Sequence, residues 1–206
     1  MSDPGLPGRK GQAARNDEII LNAAREVFLA DPKAPIAAVA ERAGVGISAL
    51  YRRYPSKDEL LRRICHDGLR RYIAEAEAAV EPDPWDALRG FVERVVDADV
   101  HSLTVRLAGL FTPTPGMTAD AVRANKLSTG LFTRAQKAGV LRDDAVRADL
   151  VLLLEACAAI RLPDAQRTHQ LRRRFLAQAL RGLRPDGVKL PGPAPDDDEL
   201  NWRWRR

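Results

Sequence analysis

Three features of the 206-residue sequence predict an all-α protein. Apolar residues recur at intervals of three and four, as the 3.6-residue period of a helix requires. Ala, Leu, Arg and Glu, all strong helix formers, dominate the interior of the chain. No alternating run flanks an Asn-Gly or Asp-Gly pair, so no hairpin is indicated. Proline and glycine gather at the two ends. Pro4, Gly5, Pro7, Gly8 and Gly11 mark an arm, and Pro185, Gly187, Pro191, Gly192, Pro193 and Pro195 mark a tail.

The elements follow in order. A first helix is expected from Asn16 to Leu29, with Asn16 as N-cap, Asp17 and Glu18 on the positive end of its dipole, and Asp31-Pro32 stopping it. Ile20, Ala23, Ala24, Val27 and Phe28 form its inward face. A short helix covers Ile36 to Ala43, begins after Pro35 without a side-chain cap, and ends at Gly44 in a left-handed cap. Another runs from Ile47 to Tyr54, before Pro55. Ser56-Lys57-Asp58-Glu59 reads as a capping box that opens a long helix to about Val80, terminated by Pro82 and Pro84. Further helices are expected over Trp85–Val100, Ser102–Phe111, Thr118–Ala138, Asp144–Arg161 and Asp164–Leu183.

Composition narrows the function. A hydrophobic fraction of 45% and a charged fraction of 30% are those of a globular protein that can bury a core. The longest nearly apolar run, Asp149 to Ile160, is broken by Glu155 and is far shorter than the roughly 20 residues of a membrane span. The first residues lack the apolar stretch of a secretory signal, so a cytoplasmic location without membrane association is expected. Cys65 and Cys157 form no CxxC pair, which suits a reducing compartment. A net charge of +5 and a pI near 9.5 allow a polyanionic partner.

Two short helices joined by Gly44-Val45-Gly46 are the material of a helix-turn-helix. Ala40, Ala43, Val45 and Leu50 are small or apolar, as a close helix crossing needs. The second helix carries Ile47, Ser48, Tyr51, Arg52 and Arg53, a short polar and basic face that fits a major groove. Read in full from Ile36 to Leu60, through Ala43-Gly44-Val45, Leu50-Tyr51 and Pro55-Ser56-Lys57, the string resembles the DNA-binding domain of the TetR/AcrR family. Ile20-Leu21-Asn22-Ala23-Ala24 and Val27-Phe28 resemble that family's first helix, so the likeness spans about residues 12–62.

The resemblance implies a sequence-specific transcriptional regulator, a repressor that binds double-stranded DNA as a homodimer on a palindromic operator until an unknown small-molecule effector releases it. It implies that Ile47, Ser48 and Arg52 face base edges. Tyr51, Arg53 and Lys57 fall where phosphate donors sit, Lys57 at the N-terminus of the long helix. Ala49, Gly46 and Pro35 depart from the threonine, the Ser/Thr cap and the second Ser/Thr cap usual at these positions. Residues 1–60 hold nine Lys/Arg against eight Asp/Glu, so positive charge must act by position rather than by total. Arg9, Lys10 and Arg15 either track phosphates or a minor groove, or belong to a solvated disordered terminus. The resulting division is a flexible basic arm over residues 1–12, a DNA-binding domain over 13–60, a helical ligand-binding and dimerisation domain over 61–184, and a tail over 185–206.

In the C-terminal part, Val146, Leu150, Leu153, Cys157 and Ile160 recur at helical spacing, with Val151, Leu152, Leu154 and Ala158 on the other sides. A helix apolar nearly all round must be buried on more than one face. Together with Leu171 and Phe175 of the last long helix, the first stripe is expected to form the dimer interface, burial within one subunit being the alternative. Trp85, Phe91, Asp99, Phe111, Ser128 and Phe132 are the candidate lining of an effector pocket. The plainer readings are that Asp99 pairs with His101 or Arg106 and that Ser128 bonds a carbonyl of its own helix.

Other chemistry finds no support. Cys65 and His66 are adjacent and point to different helix faces, so no metal site is expected, and His101 and His169 read as surface or capping residues. No phosphate loop, nucleophile elbow or HExxH occurs, and neither an enzymatic activity nor a cofactor is expected. The five arginines of residues 172–184 read as a solvated face. The tail runs from Asp196-Asp197-Asp198-Glu199 to Trp202-Arg203-Trp204-Arg205-Arg206. It can fold back onto a groove, bind a partner or nucleic acid, or stay disordered. An effector-independent architectural or partner-binding helical DNA-binding protein is the alternative function.

Overall fold

The computed structural model describes residues 9–200, and the side chains of residues 14–196, 199 and 200. The proposed arm residues Arg9 and Lys10, as side chains, and Trp202, Arg203, Trp204, Arg205 and Arg206 of the tail lie outside the described residues. Ten helices and no strand occur among the described residues. The chain divides into two compact units, Met1–Ile64 and Cys65–Arg206.

The first unit contains α1 (Arg9–Ala30), α2 (Ile36–Ala43), α3 (Ile47–Arg53) and the first turns of α4 (Lys57–Glu77). Its core is built from Ile20, Ala24 and Phe28 of α1, Val39 and Ala40 of α2, Leu50 of α3, and Leu60, Leu61 and Ile64 of α4. The start of α1 corrects the sequence expectation. The helix begins at Arg9 and Asn16 lies inside it, not at its cap. Gln12-Ala13-Ala14-Arg15 are strong helix formers, and Gly11 costs a continuous helix only about 1 kcal/mol.

Gly44 ends α2 at φ 66° and ψ 29°, a left-handed conformation in which a side chain would be strained. Its amide donates to the Glu41 carbonyl and the Val45 amide donates to the Ala40 carbonyl, satisfying two terminal acceptors and aiming the chain into α3. Neither α2, after Pro35, nor α3, after Gly46, has a side-chain cap. Ser56 Oγ does accept from the Glu59 amide at 3.1 Å, one half of the capping box read from the sequence.

The second unit continues from α4 with α5 (Pro84–Asp97), α6 (Val100–Leu107), α7 (Pro115–Lys137), α8 (Arg147–Ala159), α9 (Ala165–Gly182) and the short α10 (Asp197–Leu200). Asp83, Thr114 and Asp164 cap α5, α7 and α9 by accepting backbone amides, and Pro84 and Pro115 occupy first-turn positions where no amide is needed. The α5 stripe of Leu88, Phe91, Val92, Val95 and Val96 packs with Phe132 and Ala135 of α7 and with Leu150, Leu153, Leu154 and Cys157 of α8. Leu176 and Leu180 of α9 complete this core.

Three placements differ from expectation. Leu150, Leu153 and Cys157 point into their own subunit's core, so they are not available to a second subunit. Val146 and Ile160 are the half-buried flanking residues of α8, and Leu171 and Phe175 are half-buried on α9. The face of α8 left outward carries Leu152, Ala156 and Ala159. Arg172 is not solvated: only 5% exposed, it donates to the Ile160 carbonyl at 3.0 Å and to Asp99 at 2.5 Å.

Residues 185–200 fold back. Arg142, 7% exposed, donates to the Gly182 carbonyl at 3.0 Å and to the Val188 carbonyl, while Asp144 accepts from the Leu190 amide at 2.7 Å. The same carboxylate pairs with Arg142, at 2.5 Å for the closer contact. These hydrogen bonds hold the Asp144 carboxyl down at about 2, the Arg142 bond first and the Leu190 amide next. The segment ends in α10, which lies against α8.

Candidate nucleic-acid interface and effector cavity

Leu50 is the one buried residue of α3. It anchors the helix to the core of the first unit, and Tyr54, 5% exposed, anchors the turn that follows. Ile47, Ser48, Tyr51 and Arg52 are all exposed, Ile47 at 41% and Tyr51 at 46%. Two large apolar side chains and an arginine presented together on a short helix form a surface suited to a partner rather than to water. Among the described residues Arg52 makes no ion pair, and it lines a concave surface with Asn16 and Asp17 of α1 and with Val45 and Ala49.

Arg53 and Lys57 each make contacts within the first unit. Arg53 Nε and Nη2 donate to the two oxygens of Asp17, at 2.7 and 3.0 Å, and the Tyr54 hydroxyl donates to Asp17 Oδ1 at 2.6 Å. The bond from Arg53 lowers the Asp17 pKa, and burial, followed by the Asp17 bond, raises that of Tyr54. This cluster ties the end of α3 to α1. Sequence reasoning missed it because Asp17 and Arg53 are 36 residues apart, and Asp17 read as a helix-end charge. Lys57 Nζ donates to the Pro32 and Ala34 carbonyls at 3.0 and 2.7 Å, and lies 5.0 Å from the centre of the Phe28 ring. Its ammonium group is thereby directed at the loop before α2, two of whose carbonyls it satisfies.

The six residues expected around an effector are also distributed differently. Phe91 and Phe132 are packed in the helical core, and Phe111 is buried beyond the end of α6. Trp85 packs at the edge of that core beneath the Arg184 guanidinium, 4.9 Å from its ring centre. The buried Ser128 hydroxyl donates to the Ala124 and Asn125 carbonyls of its own helix, at 3.0 and 3.1 Å. Asp99 adopts φ 49° between α5 and α6, where Arg172 and the Ser102 hydroxyl donate to its carboxylate. It lines a cleft of about 330 Å³ together with Arg161, His169 and Arg172.

A separate cavity of about 160 Å³ lies among α4, α6, α7 and α8. Gly68, Leu69 and Tyr72 supply the α4 wall, His101 and Thr104 the α6 wall, and Arg147, Val151 and Leu154 the α8 wall. Asn125 of α7 and Leu200 of α10 also line it. Phe91 stands one layer behind, edge-on to Tyr72 with ring centres 5.1 Å apart. His101, half-buried, therefore faces this cavity. Of these positions, Val151 and Leu154 carried a sequence signal, as members of the helix that is apolar nearly all round. His66 pairs with Asp120 at 2.7 Å, and no cluster of metal-ligating side chains occurs among the described residues. No helix among the described residues is long and apolar enough to cross a membrane.

Comparison with known proteins agrees with this arrangement. The family model "Bacterial regulatory proteins, tetR family" matches residues 20–64, and "Transcriptional regulator SbtR-like, C-terminal domain" matches residues 83–185. No curated protein gives a match. Among solved structures, the TetR family regulator PfmR from Thermus thermophilus is similar at a TM-score of 0.63 and 22% identity, over 81% of this chain and 99% of that one. LfrR from Mycobacterium smegmatis, crystallised with proflavine, is similar at 0.63 and 22% identity, over 86% and 99%. The regulator SCO0520 from Streptomyces coelicolor is similar at 0.57 and 25% identity, over 82% and 99%. With both units matched by family models and the helix-turn-helix in place, the chain belongs to the TetR family of bacterial transcriptional regulators, DNA-binding proteins rather than enzymes.

Proposed function

We propose that this regulator is a ligand-relieved repressor that binds a palindromic operator as a homodimer. The observation that carries the reading is the outward face of α3, where Ile47, Ser48, Tyr51 and Arg52 are exposed while Leu50 holds the helix in place. Ile47, Ser48 and Arg52 meet base edges in the major groove and Tyr51 meets phosphate. Arg53 acts through Asp17 by fixing the end of the helix, and Lys57 acts by fixing the loop before α2.

A homodimer brings two recognition helices to half-sites about one helical turn apart. Leu152, 42% exposed, with Ala156 and Ala159 one and two turns further on, gives α8 an outward stripe of small and apolar residues suited to an isologous contact. The cavity beside Tyr72 and Arg147 favours an effector-controlled protein over the architectural alternative, which needs no cavity. LfrR, a similar fold, was crystallised with a small molecule. Relief of repression requires that the effector bind the DNA-incompetent state more tightly.

Selection of DNA from a random pool at fixed salt, with Arg52→Ala and Tyr51→Ala alongside, tests the reading. The expected result is a palindrome bound by the natural protein and lost with both variants. A pool without a motif, bound equally by all three proteins, refutes it.

A further inference from the structure

The end of the described chain supplies part of the cavity wall. Arg142 donates to the Val188 carbonyl and Asp144 accepts from the Leu190 amide, which fixes residues 188–190 to the loop that precedes α8. Pro191, Pro193 and Pro195 follow, each with a fixed φ, so residues 191–196 form a stiff tether rather than a free coil. Asp196 and Glu199 then cap α10 reciprocally: the Glu199 amide donates to Asp196 Oδ1 and the Asp196 amide to Glu199 Oε2, both at 3.0 Å. The helix lies against α8, and Leu200 at its end lines the cavity with Tyr72, Val151 and Leu154. Arg147 lines the same space and the residues directly before Leu200 are four acids, so the segment and the wall it meets carry opposite charge.

A four-residue helix is far too short to persist by itself, so α10 depends on its cap and on its seat against α8. The anchor at residues 188–190 is separate from that seat and holds it at high local concentration. We propose that residues 191–200 are a tethered cover of the cavity, which lifts at α10 to admit a ligand and reseats while the anchor stays made. Leu200 is the group that an entering ligand displaces from the apolar wall. The regulatory meaning of the cover rests on the ligand-relieved reading above, to which it adds a gate formed by the chain's own C-terminal segment.

Thiol labelling of the full chain reads the cover directly. Val151→Cys puts a reporter in the α8 wall, Thr104→Cys one in the α6 wall, and Ala138→Cys an exposed control beyond the end of α7. The natural Cys65 and Cys157 are buried, which pushes their thiols up to about 12 and about 11, so they react slowly. The probe is methyl methanethiosulfonate, a small uncharged reagent. Both wall reporters are expected to react at least about fivefold faster when Leu200→Ser is added, and at the original rate with Leu200→Met. Ala138→Cys is expected to react alike in all three backgrounds. Circular dichroism and cooperative melting establish that each variant folds. Wall reporters that ignore Leu200→Ser, or an Ala138→Cys control that accelerates with them, overturn the proposal, as does equal acceleration by Leu200→Met. Operator binding measured on the same preparations separates the two ideas. An operator bound normally while the wall reporters ignore Leu200→Ser refutes the cover alone, whereas accelerated labelling in a protein that selects no operator refutes the repressor reading alone.

Discussion

Asp17 and Arg53 meet through two parallel hydrogen bonds of 2.7 and 3.0 Å, joining the middle of α1 to the last residue of the recognition helix. Asp17 is only 13% exposed while Arg53 is 59% exposed, so the carboxylate is the member with most to lose from separation. The pair turns a short helix, held to the core by Leu50 and lacking a side-chain cap at Gly46, into one with a defined orientation.

Asp17→Asn leaves Arg53 and the Tyr54 hydroxyl without their charged acceptor, and is expected to cost about 1–2 kcal/mol at pH 7 in urea unfolding. Because the Asp17 pKa lies below its ordinary 3.8 in the folded protein, its contribution is present above that value and declines as the pH falls through and below it. The variant and the natural protein should therefore converge in strong acid. Identical urea midpoints at pH 7 would show that the pair does not hold α3.

Lys57→Met tests whether this lysine serves the fold or the DNA. The two carbonyl contacts predict a stability loss of about 1 kcal/mol, with the salt dependence of operator binding unchanged. Arg52→Ala is expected to do the reverse, weakening operator binding by about 1–3 kcal/mol with little effect on melting. A salt slope reduced by about one ion in Lys57→Met would return Lys57 to the phosphate contacts.

Leu152→Glu places a charge on the outward stripe of α8 and is expected to give monomers in sedimentation, with weakened operator binding. Leu153→Ala, one residue on, removes a core side chain instead and is expected to cost about 2–5 kcal/mol. Monomers from Leu153→Ala, with Leu152→Glu still dimeric, would reverse the assignment of the two faces.

Asp144→Asn weakens the anchor of the C-terminal segment at Arg142 and at the Leu190 amide. Trypsin is expected to cut after the exposed Lys189 several-fold faster in this variant. The carboxyl titrates at about 2 against an ordinary 3.8, so the anchor contributes fully above about pH 4 and is lost as the pH falls through 2. Unchanged cleavage would mean that other contacts hold residues 185–200.

The helical class, the order of the elements, the turn at Gly44-Val45-Gly46 and the exposed face of α3 were legible in the amino-acid sequence alone. Each is a local property: a 3.6-residue period, a left-handed glycine, a proline stop, a run of residues with one inward leucine. The plainer reading of Ser128 was legible for the same reason, since its acceptors are three and four residues away. Tertiary structure alone decided that Lys57 meets the carbonyls before α2 and Arg53 meets Asp17, that Arg172 is buried against Asp99, that Leu153 faces inward while Leu152 faces out, and that the cavity lies beside Tyr72 and Arg147. On a helix apolar nearly all round, periodicity does not choose the inner face. A charged side chain likewise carries no local mark of the partner it will meet 36 or 73 residues away. Those outcomes depend on which groups the packed helices bring within hydrogen-bonding distance, and on the cost of leaving a buried charge without one.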